Sequence, residues 1–566
     1  MTRKSTLRAA ALASTCLLPL ASFAQEAPDY NNEATLGLRY QSSNSALFGR
    51  YNGHPYDGVG AVGGFMLNGS DAWNSGKTQY FRAEGDNIDV DRHQLMPDAT
   101  ISVKYGQQGL WGLNAYYQGI PYWQSLTFHS LEDSSGALKG LTPRSLAVNS
   151  GVTYTALSAG PTGALTSTGA TPAQLAAGTA ALNGIYATMN SFNSTQAVGT
   201  QRDIVGGGAS FSGVPNWTFS AGLQHEHKQG TRENALVTNT TTNILYFPEP
   251  VDYDTDRYTA SAKYSTQRLQ GLFSYTYSAF TDNLSSFTTP NPFNVTTLAP
   301  GYTASVYALP PSNDAHQLRG QLAYALTPST RINGNFGYQL MEQNEANPLA
   351  YAGAPVSPYL PGAFDAKVQD LFGNVVVTAR PLPRTDLRAS YTIDDRKNDS
   401  SRVFVPNVAG SMITADTTGS NHAPIANLPV SQLNQTVKLE AGYAVLPSTK
   451  VSANYSYADK QRDFSVTDRN HESTLGARVI SSFMDGLDGS LGYSHAVRTA
   501  SAYYQNAAWL ASTYPGTNAA GAQMYYLAAR TRDEVVANLS WGLSSRFTAG
   551  GIVPSRVEIR SAGVTV

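Results

Sequence analysis

His225-Glu226-His227 sets two imidazoles two positions apart, the interval at which side chains on one face of an extended strand can share a metal ion. No third ligand stands beside them, and both continue the parity of Leu223, so the plainer reading is a polar step just beyond an apolar stripe. Asp252, Asp254 and Asp256 repeat at the interval of a calcium-binding loop, but the turn glycine and the distal glutamate of such loops are missing. A solvated loop is expected there. Cys16 is the only cysteine, and no C-x-x-C-H occurs, so the chain cannot hold a c-type haem covalently. Nine scattered histidines give no legible Ser-His-Asp arrangement, and the glycines mark strands and turns rather than a phosphate cradle. An enzyme is the class this sequence supports least.

The elements that would position these residues are strands. Residues 331 to 341 alternate strictly, with Ile332, Phe336, Tyr338 and Leu340 on one face and Arg331, Asn333, Asn335 and Gln339 on the other. Such a strand separates an apolar phase from water, and its recurrence is the signature of a transmembrane β-barrel. Trp217, Phe219, Ala221 and Leu223 form a similar face. So do Leu269, Gly271, Phe273, Tyr275 and Tyr277, and Val535, Ala537, Leu539, Trp541 and Leu543. Three segments, Leu326–Ile332, Leu382–Leu387 and Val445–Val451, place a short proline-containing turn between two alternating runs. Their prolines, Pro328, Pro383 and Pro447, lie 55 and 64 residues apart, which fits two strands plus one long loop on the far side. Short periplasmic turns and long external loops are the habit of outer-membrane barrels.

Composition agrees. Charged residues are 14% of the chain, against about 25% in ordinary soluble domains. No run after the leader approaches the roughly 18 apolar residues of a spanning helix. Arg3, Lys4 and Arg8, an apolar run over 9 to 21, and Ser22-Phe23-Ala24 before Gln25 together read as a secretory signal over residues 1 to 24. A lipoprotein reading of Ala13-Ser14-Thr15-Cys16 fits poorly, because the apolar run continues past Cys16. Residues 25 to 566 then carry no cysteine, which excludes disulfides, thiolate-held metals and iron–sulfur clusters. Without the three basic leader residues, 35 Lys+Arg stand against 40 Asp+Glu, and no basic patch points to nucleic acid.

The expected fold is therefore all-β, a large antiparallel transmembrane barrel in residues 25 to 566 of a Gram-negative outer membrane. At about 20 to 25 residues per strand with its loop share, it holds roughly 22 to 26 strands, a lumen its own side chains cannot fill. Residues 145 to 200, rich in Ala, Thr, Gly and Ser, depart from the alternation and read as a long loop. Within it Thr171-Pro172-Ala173-Gln174 resembles a helix start, with Leu175, Leu182, Tyr186 and Met189 as a narrow stripe.

Three functions suit this frame. A diffusion porin needs only about 16 to 18 strands. A plugged transporter of about 22 strands needs an N-terminal plug, yet alternation begins at Leu36, Leu38 and Tyr40. The third is a sheath around a separate protein.

Phe48-Gly49-Arg50-Tyr51-Asn52-Gly53, Pro250-Val251-Asp252-Tyr253, Asn291-Pro292-Phe293 and the run from Leu309 to Leu318, in that order, resemble the MtrB/PioB family of decahaem-associated outer-membrane proteins. The resemblance covers roughly residues 35 to 550. It implies an insulating tube into which a periplasmic multihaem c-type cytochrome threads, with extracellular metal reduction or iron oxidation as the purpose. An extracellular multihaem cytochrome is a further implied partner, and all haem would belong to the partners. Arg319, Arg331, Asn333, Asn335, Arg388, Lys438 and Asn454 take the polar parity and would face such a cytochrome; a merely wet lumen or charge pairs within the wall are the plainer alternatives. The runner-up function is a large passive or substrate-selective channel.

Two departures stand out. Some members carry an N-terminal cysteine pair that this sequence lacks. Its end, residues 552 to 566, also lacks the aromatic-terminated strand usual in such barrels, and Pro554 falls in what should be the closing hairpin. The expectation is that closing strands are missing through truncation or frameshift after about Gly551, with poor assembly as the consequence.

Overall fold

Period-two sequence yields one long antiparallel meander. The computed structural model describes residues 32–72, 74–90, 96–130, 194–239, 243–290, 304–346, 363–402, 404–405, 425–502, 526–544 and 547–560. In chain order its elements begin with β1 (Glu33–Gln41), α1 (Ala46–Gly49), β2 (Gly58–Ser70), β3 (Gln79–Val90), β4 (Thr100–Gln107), β5 (Trp111–Ser130), β6 (Ser194–Phe211), β7 (Trp217–Asn239), β8 (Asn243–Ser265) and β9 (Leu269–Asp282). After these come β10 (Ser286–Pro290), β11 (Ala304–Ala308), β12 (Asn313–Thr327), β13 (Thr330–Ala346), β14 (Ala363–Ala379), β15 (Thr385–Asn398), β16 (Phe404–Val405) and β17 (Ile425–Ala426). The remaining strands are β18 (Gln432–Leu446), β19 (Thr449–Arg462), β20 (Arg469–Met484), β21 (Leu487–Ala500), β22 (Arg530–Ser544) and β23 (Phe547–Arg560).

Among the described residues nineteen strands form the main sheet, each antiparallel to its sequence neighbour, with β9 passing to β12 and β15 to β18. The pairs β10–β11 and β16–β17 are small hairpins outside it. The sheet is the wall of an outer-membrane β-barrel. Among the described residues many of its strands are longer than a membrane crossing requires: β5 has 20 residues and β7 and β8 have 23 each. A span needs only about 9 to 11 residues, so part of each long strand stands clear of the lipid.

The short connections lie at one end. Pro328-Ser329 joins β12 to β13, Pro447-Ser448 joins β18 to β19, and residues 380–384 join β14 to β15, as the proline-containing turns predict. Asp485-Gly486 makes an equally tight link, with Gly486 at φ 79°. The long connections lie at the other end, beside the three-residue link 240–242 between β7 and β8, and by the rule for such barrels that end is the outer one.

One face of the wall is apolar yet open to its surroundings. Leu322, Phe336, Leu387, Leu439, Leu475, Leu491 and Leu539 are all exposed, which only a lipid environment makes favourable. Aromatic pairs mark its borders: Trp217 packs with Phe219 and Tyr264 beside a short turn, and Tyr258, Tyr277 and His316 pack together higher up. The latter row continues through the register Leu223↔Tyr258↔Tyr277↔His316↔Leu340, so one border of the apolar band crosses five neighbouring strands.

Three expectations need correction. Residues 194–200 belong to β6 rather than to an irregular loop, while 145 to 193, with the helix start at Thr171, lie outside the described residues. Asp252, Asp254 and Asp256 sit in the middle of β8, paired with Gln229, His227 and His225, because alternation with Tyr253, Thr255 and Arg257 suits a strand. The ladder does not break near Gly551: β23 pairs with β22 from Phe547 to Arg560, and Pro554 stands opposite Val536. Proline is tolerated in a strand wherever its missing N–H would have pointed away from the paired neighbour. Residues 1 to 24, expected to be a secretory signal, and Asn291-Pro292-Phe293 lie outside the described residues.

Candidate functional site

Parity sends the polar half of each strand to the face opposite the exposed leucines, and the register aligns these residues into rows. One row runs Arg331↔Thr378↔Arg388↔Glu440↔Asn454. The next runs Asn333↔Val376↔Ser390↔Lys438↔Ser456, and the one above it Gln321↔Asn335↔Asn374↔Thr392↔Thr436. All the residues expected to line the lumen, Arg319, Arg331, Asn333, Asn335, Arg388, Lys438 and Asn454, take this inner parity and are exposed. Arg319 lies over the Phe372 ring at 5.8 Å, a cation–π contact on the inner face. Among the described residues none of the four cations in this set makes an ion pair. Charge pairing within the wall, the plainer reading of these side chains, is therefore not what holds them.

Nearer the outer end the same face is different. Arg396 reaches Asp370 at 3.4 Å, and Arg530 and Arg498 converge on Glu472 at 3.0 and 3.9 Å. Arg202 pairs with Glu226 at 3.0 Å. Cations and anions are matched there, and Asp386 is held by Arg380 and Lys450 beside the short turns, whereas Arg319, Arg331, Arg388 and Lys438, between mid-wall and the short-turn end, make no ion pair among the described residues. Sequence parity alone places all these residues inside but cannot say which are paired, since the partners come from different strands.

On the outer face the two imidazoles continue the parity of Leu223, as expected. Each meets an aspartate across the ladder: His225 Nδ1 lies 2.9 Å from Asp256 Oδ1, and His227 Nδ1 lies 2.8 Å from Asp254 Oδ1. Asn283 donates to both Asp252 and Asp254. The group stands just beyond the apolar band. The hydrogen bond with Asp254 raises the His227 pKa above its usual range, and those from Asn283 and His227 hold the Asp254 carboxyl below its own. The histidines and aspartates serve each other as an ion-paired patch. The sequence hides this because the aspartates are some 30 positions away.

Comparison with known proteins decides the family. The family profile of the outer-membrane beta-barrel porin MtrB/PioB matches residues 40–554. The chain belongs to the MtrB/PioB family. No curated protein sequence matches it. Among solved structures, the open form of the ferric-catecholate import receptor Fiu from E. coli K12 is similar at 11% identity and TM-score 0.36, covering 91% of this chain and 69% of that one. The copper transporter OprC is similar at 8% identity and TM-score 0.37, covering 88% and 66%. The Pseudomonas putida toluene transporter TodX gives 12% identity and TM-score 0.21, covering 53% and 78%. The barrel reading rests on this chain's own ladder and on MtrB/PioB membership, since likenesses this distant decide no function.

Proposed function

We propose that this MtrB/PioB barrel is the outer-membrane sheath of an electron conduit, holding and insulating a periplasmic multihaem c-type cytochrome. The observation that carries the reading is the inner wall between its middle and the short-turn end. There Arg319, Arg331, Arg388 and Lys438 are exposed and make no ion pair among the described residues, on a sheet of 19 strands. Barrels of 16 or more strands leave a lumen that side chains do not fill. A folded protein presenting carboxylates and haem propionates would satisfy these cations.

The chain's own contribution is then physical. The lipid-facing leucines and aromatics fix the tube in the membrane, and the backbone ladder closes its hydrogen bonds within the wall. The polar inner rows offer hydrogen bonds at many heights, suited to a long partner rather than to one small ligand. The sequence has no C-x-x-C-H and no cysteine after residue 16, so in this reading haem and electron transfer reside wholly in the partner. A second multihaem cytochrome at the long-loop end would exchange electrons with extracellular donors or acceptors.

The reading is tested by isolating the barrel in mild detergent from outer membranes of cells that make multihaem cytochromes. Haem absorbance in fixed proportion to the barrel, carried by a co-purifying cytochrome, supports the sheath. A properly inserted but haem-free barrel from the same cells favours a large channel, which is the function the family's porin description suggests.

A further inference from the structure

The segment Phe48-Gly49-Arg50-Tyr51-Asn52-Gly53 is only a sequence signature in the reading above, yet the fold gives it a task. It lies between β1 and β2 at the long-loop end and is not a free loop. Ser45 caps the short turn α1 through the Phe48 N–H. The chain then crosses toward β5, where Trp123 N–H donates to the Arg50 carbonyl at 3.1 Å. Gly49 and Gly53 make this path feasible: a Cβ on Gly49 would meet the Pro55 backbone at 2.4 Å, and Gly53 has φ +74° with Pro97 against it. The segment thereby delivers His54 to a buried point.

Two carboxylates arrive there from other pieces of chain. Asp89 comes from the end of β3 and Asp98 from the connection leading to β4, and the side chains of His54, Asp89 and Asp98 are 5%, 3% and 16% exposed. His54 Nε2 contacts Asp89 Oδ2 and lies 4.0 Å from Asp98 Oδ1. One nitrogen and two carboxylate oxygens thus fall within 4.8 Å of one another. Arg39 on β1 approaches Asp89 Oδ2 at 3.6 Å. Arg39 alternates with the outward Leu38 and Tyr40, and the register Arg39↔Gly60 and Val62↔Asp89 puts Asp89 on the same inner face.

We propose that His54, Asp89 and Asp98 form a divalent transition-metal site at the outer mouth of the lumen, of the N,O,O type that binds Zn²⁺ or Mn²⁺. The donor set suits borderline dications, which take imidazole nitrogen and carboxylate oxygen at about 2.0 to 2.2 Å. To hold such an ion His54 Nε2 and Asp89 Oδ2, now in direct contact, would part while Asp98 closes in, leaving the donors about 3 to 3.5 Å from one another. Charge argues the same way. Two carboxylates meet a single imidazole at this buried point, and burying charge is costly unless it is offset. Asp98 Oδ1 is buried and accepts no hydrogen bond among the described residues, as fits an oxygen placed for a cation. Arg39 would orient Asp89 from outside the coordination sphere.

Bound metal would staple the β1–β2 crossing, β3 and the β3–β4 connection together, fixing the inward-folded segment at the mouth. The competing occupant is a proton: an imidazolium on His54 would satisfy both carboxylates without metal.

Calorimetric titration of the metal-stripped full chain in detergent with Zn²⁺, repeated with Mn²⁺, separates the two. Asp98→Asn is the variant of choice because it keeps size and leaves the Arg39–Asp89–His54 contacts in place; heat-modifiable gel mobility confirms that the barrel has formed. The expected result is one equivalent of saturable binding by at least one of the two ions, weakened tenfold or more by Asp98→Asn, and protection of residues 42–57 from protease when metal is added. Absence of saturable binding of either ion, or equal binding by the variant, overturns the site and leaves the imidazolium pair. Neither result depends on whether a cytochrome occupies the lumen.

Discussion

His227 and Asp254 face each other across β7 and β8 at 2.8 Å, and their pKa values move in opposite directions. For the raised imidazole, the stabilisation is fully present below its unfolded value near ~6.5 and is lost as pH rises through the higher folded value. For the depressed carboxylate, it is present above an unfolded value near ~4 and is lost as pH falls through the lower folded value. The hairpin is therefore held best between roughly pH 4 and 6.5, with the pair contributing no more than about 1 kcal/mol because both groups are partly solvated. Amide exchange in β7 and β8, corrected for the intrinsic rate, should show protection falling above neutrality in the wild type and a flatter profile in His227→Gln. Identical profiles would mean the pair contributes nothing. On the inner face the prediction concerns charge. Reversing Arg319, Arg388 and Lys438 together to Glu should leave insertion intact, since none of them pairs within the wall, and should weaken cytochrome retention by about tenfold or more. Haem retained per barrel after a salt wash measures it. Residue type and parity made the lumen-facing set legible in the sequence. The mouth cluster was not, because His54, Asp89 and Asp98 are brought together by a crossing that no local pattern encodes.

Among elements, the strands were the most legible, because a wall between lipid and water forces a period of two on every crossing. Phe336 on β13 exemplifies the cost of violating it. It is exposed to lipid mid-strand, so Phe336→Lys should destabilise the barrel by about 2 to 4 kcal/mol, whereas Asn335→Lys, one position earlier and facing inward, should cost far less. Urea titrations of the two variants folded into lipid vesicles would show the asymmetry, and equal losses would reverse the assigned faces. The short turns were legible too, since Pro328 and Pro447 punctuate alternating runs. Where a strand leaves the membrane was not, because alternation does not stop at the membrane border in β7 and β8, where His225, His227, Asp254 and Asp256 extend the ladder beyond the apolar band. Pro554 does not interrupt β23, because a proline's effect depends on which side of the strand is paired. At the mouth, Gly53→Ala forces a Cβ against Pro97 at a positive φ and should cost about 1 to 3 kcal/mol locally. The crossing segment should then become protease-sensitive while the barrel itself remains heat-modifiable; unchanged resistance would show that this conformation does not hold it.

At the scale of the molecule, the proposed sheath asks for an apolar outside and an inside whose cations are open to a partner, and the wall has exposed leucines on one face and Arg319, Arg331, Arg388 and Lys438 exposed on the other. Whether it is a conduit or an open channel is a difference in what crosses the membrane, and one reconstitution reads both. The barrel is placed in liposomes that enclose a membrane-impermeant redox dye, with or without its cognate multihaem cytochrome, and an impermeant reductant is added outside. The account predicts that dye reduction requires both proteins and that the cytochrome at the same time blocks leakage of small solutes through the barrel. Solute leakage unchanged by the cytochrome, with no electron transfer to the enclosed dye, would contradict it and establish a channel.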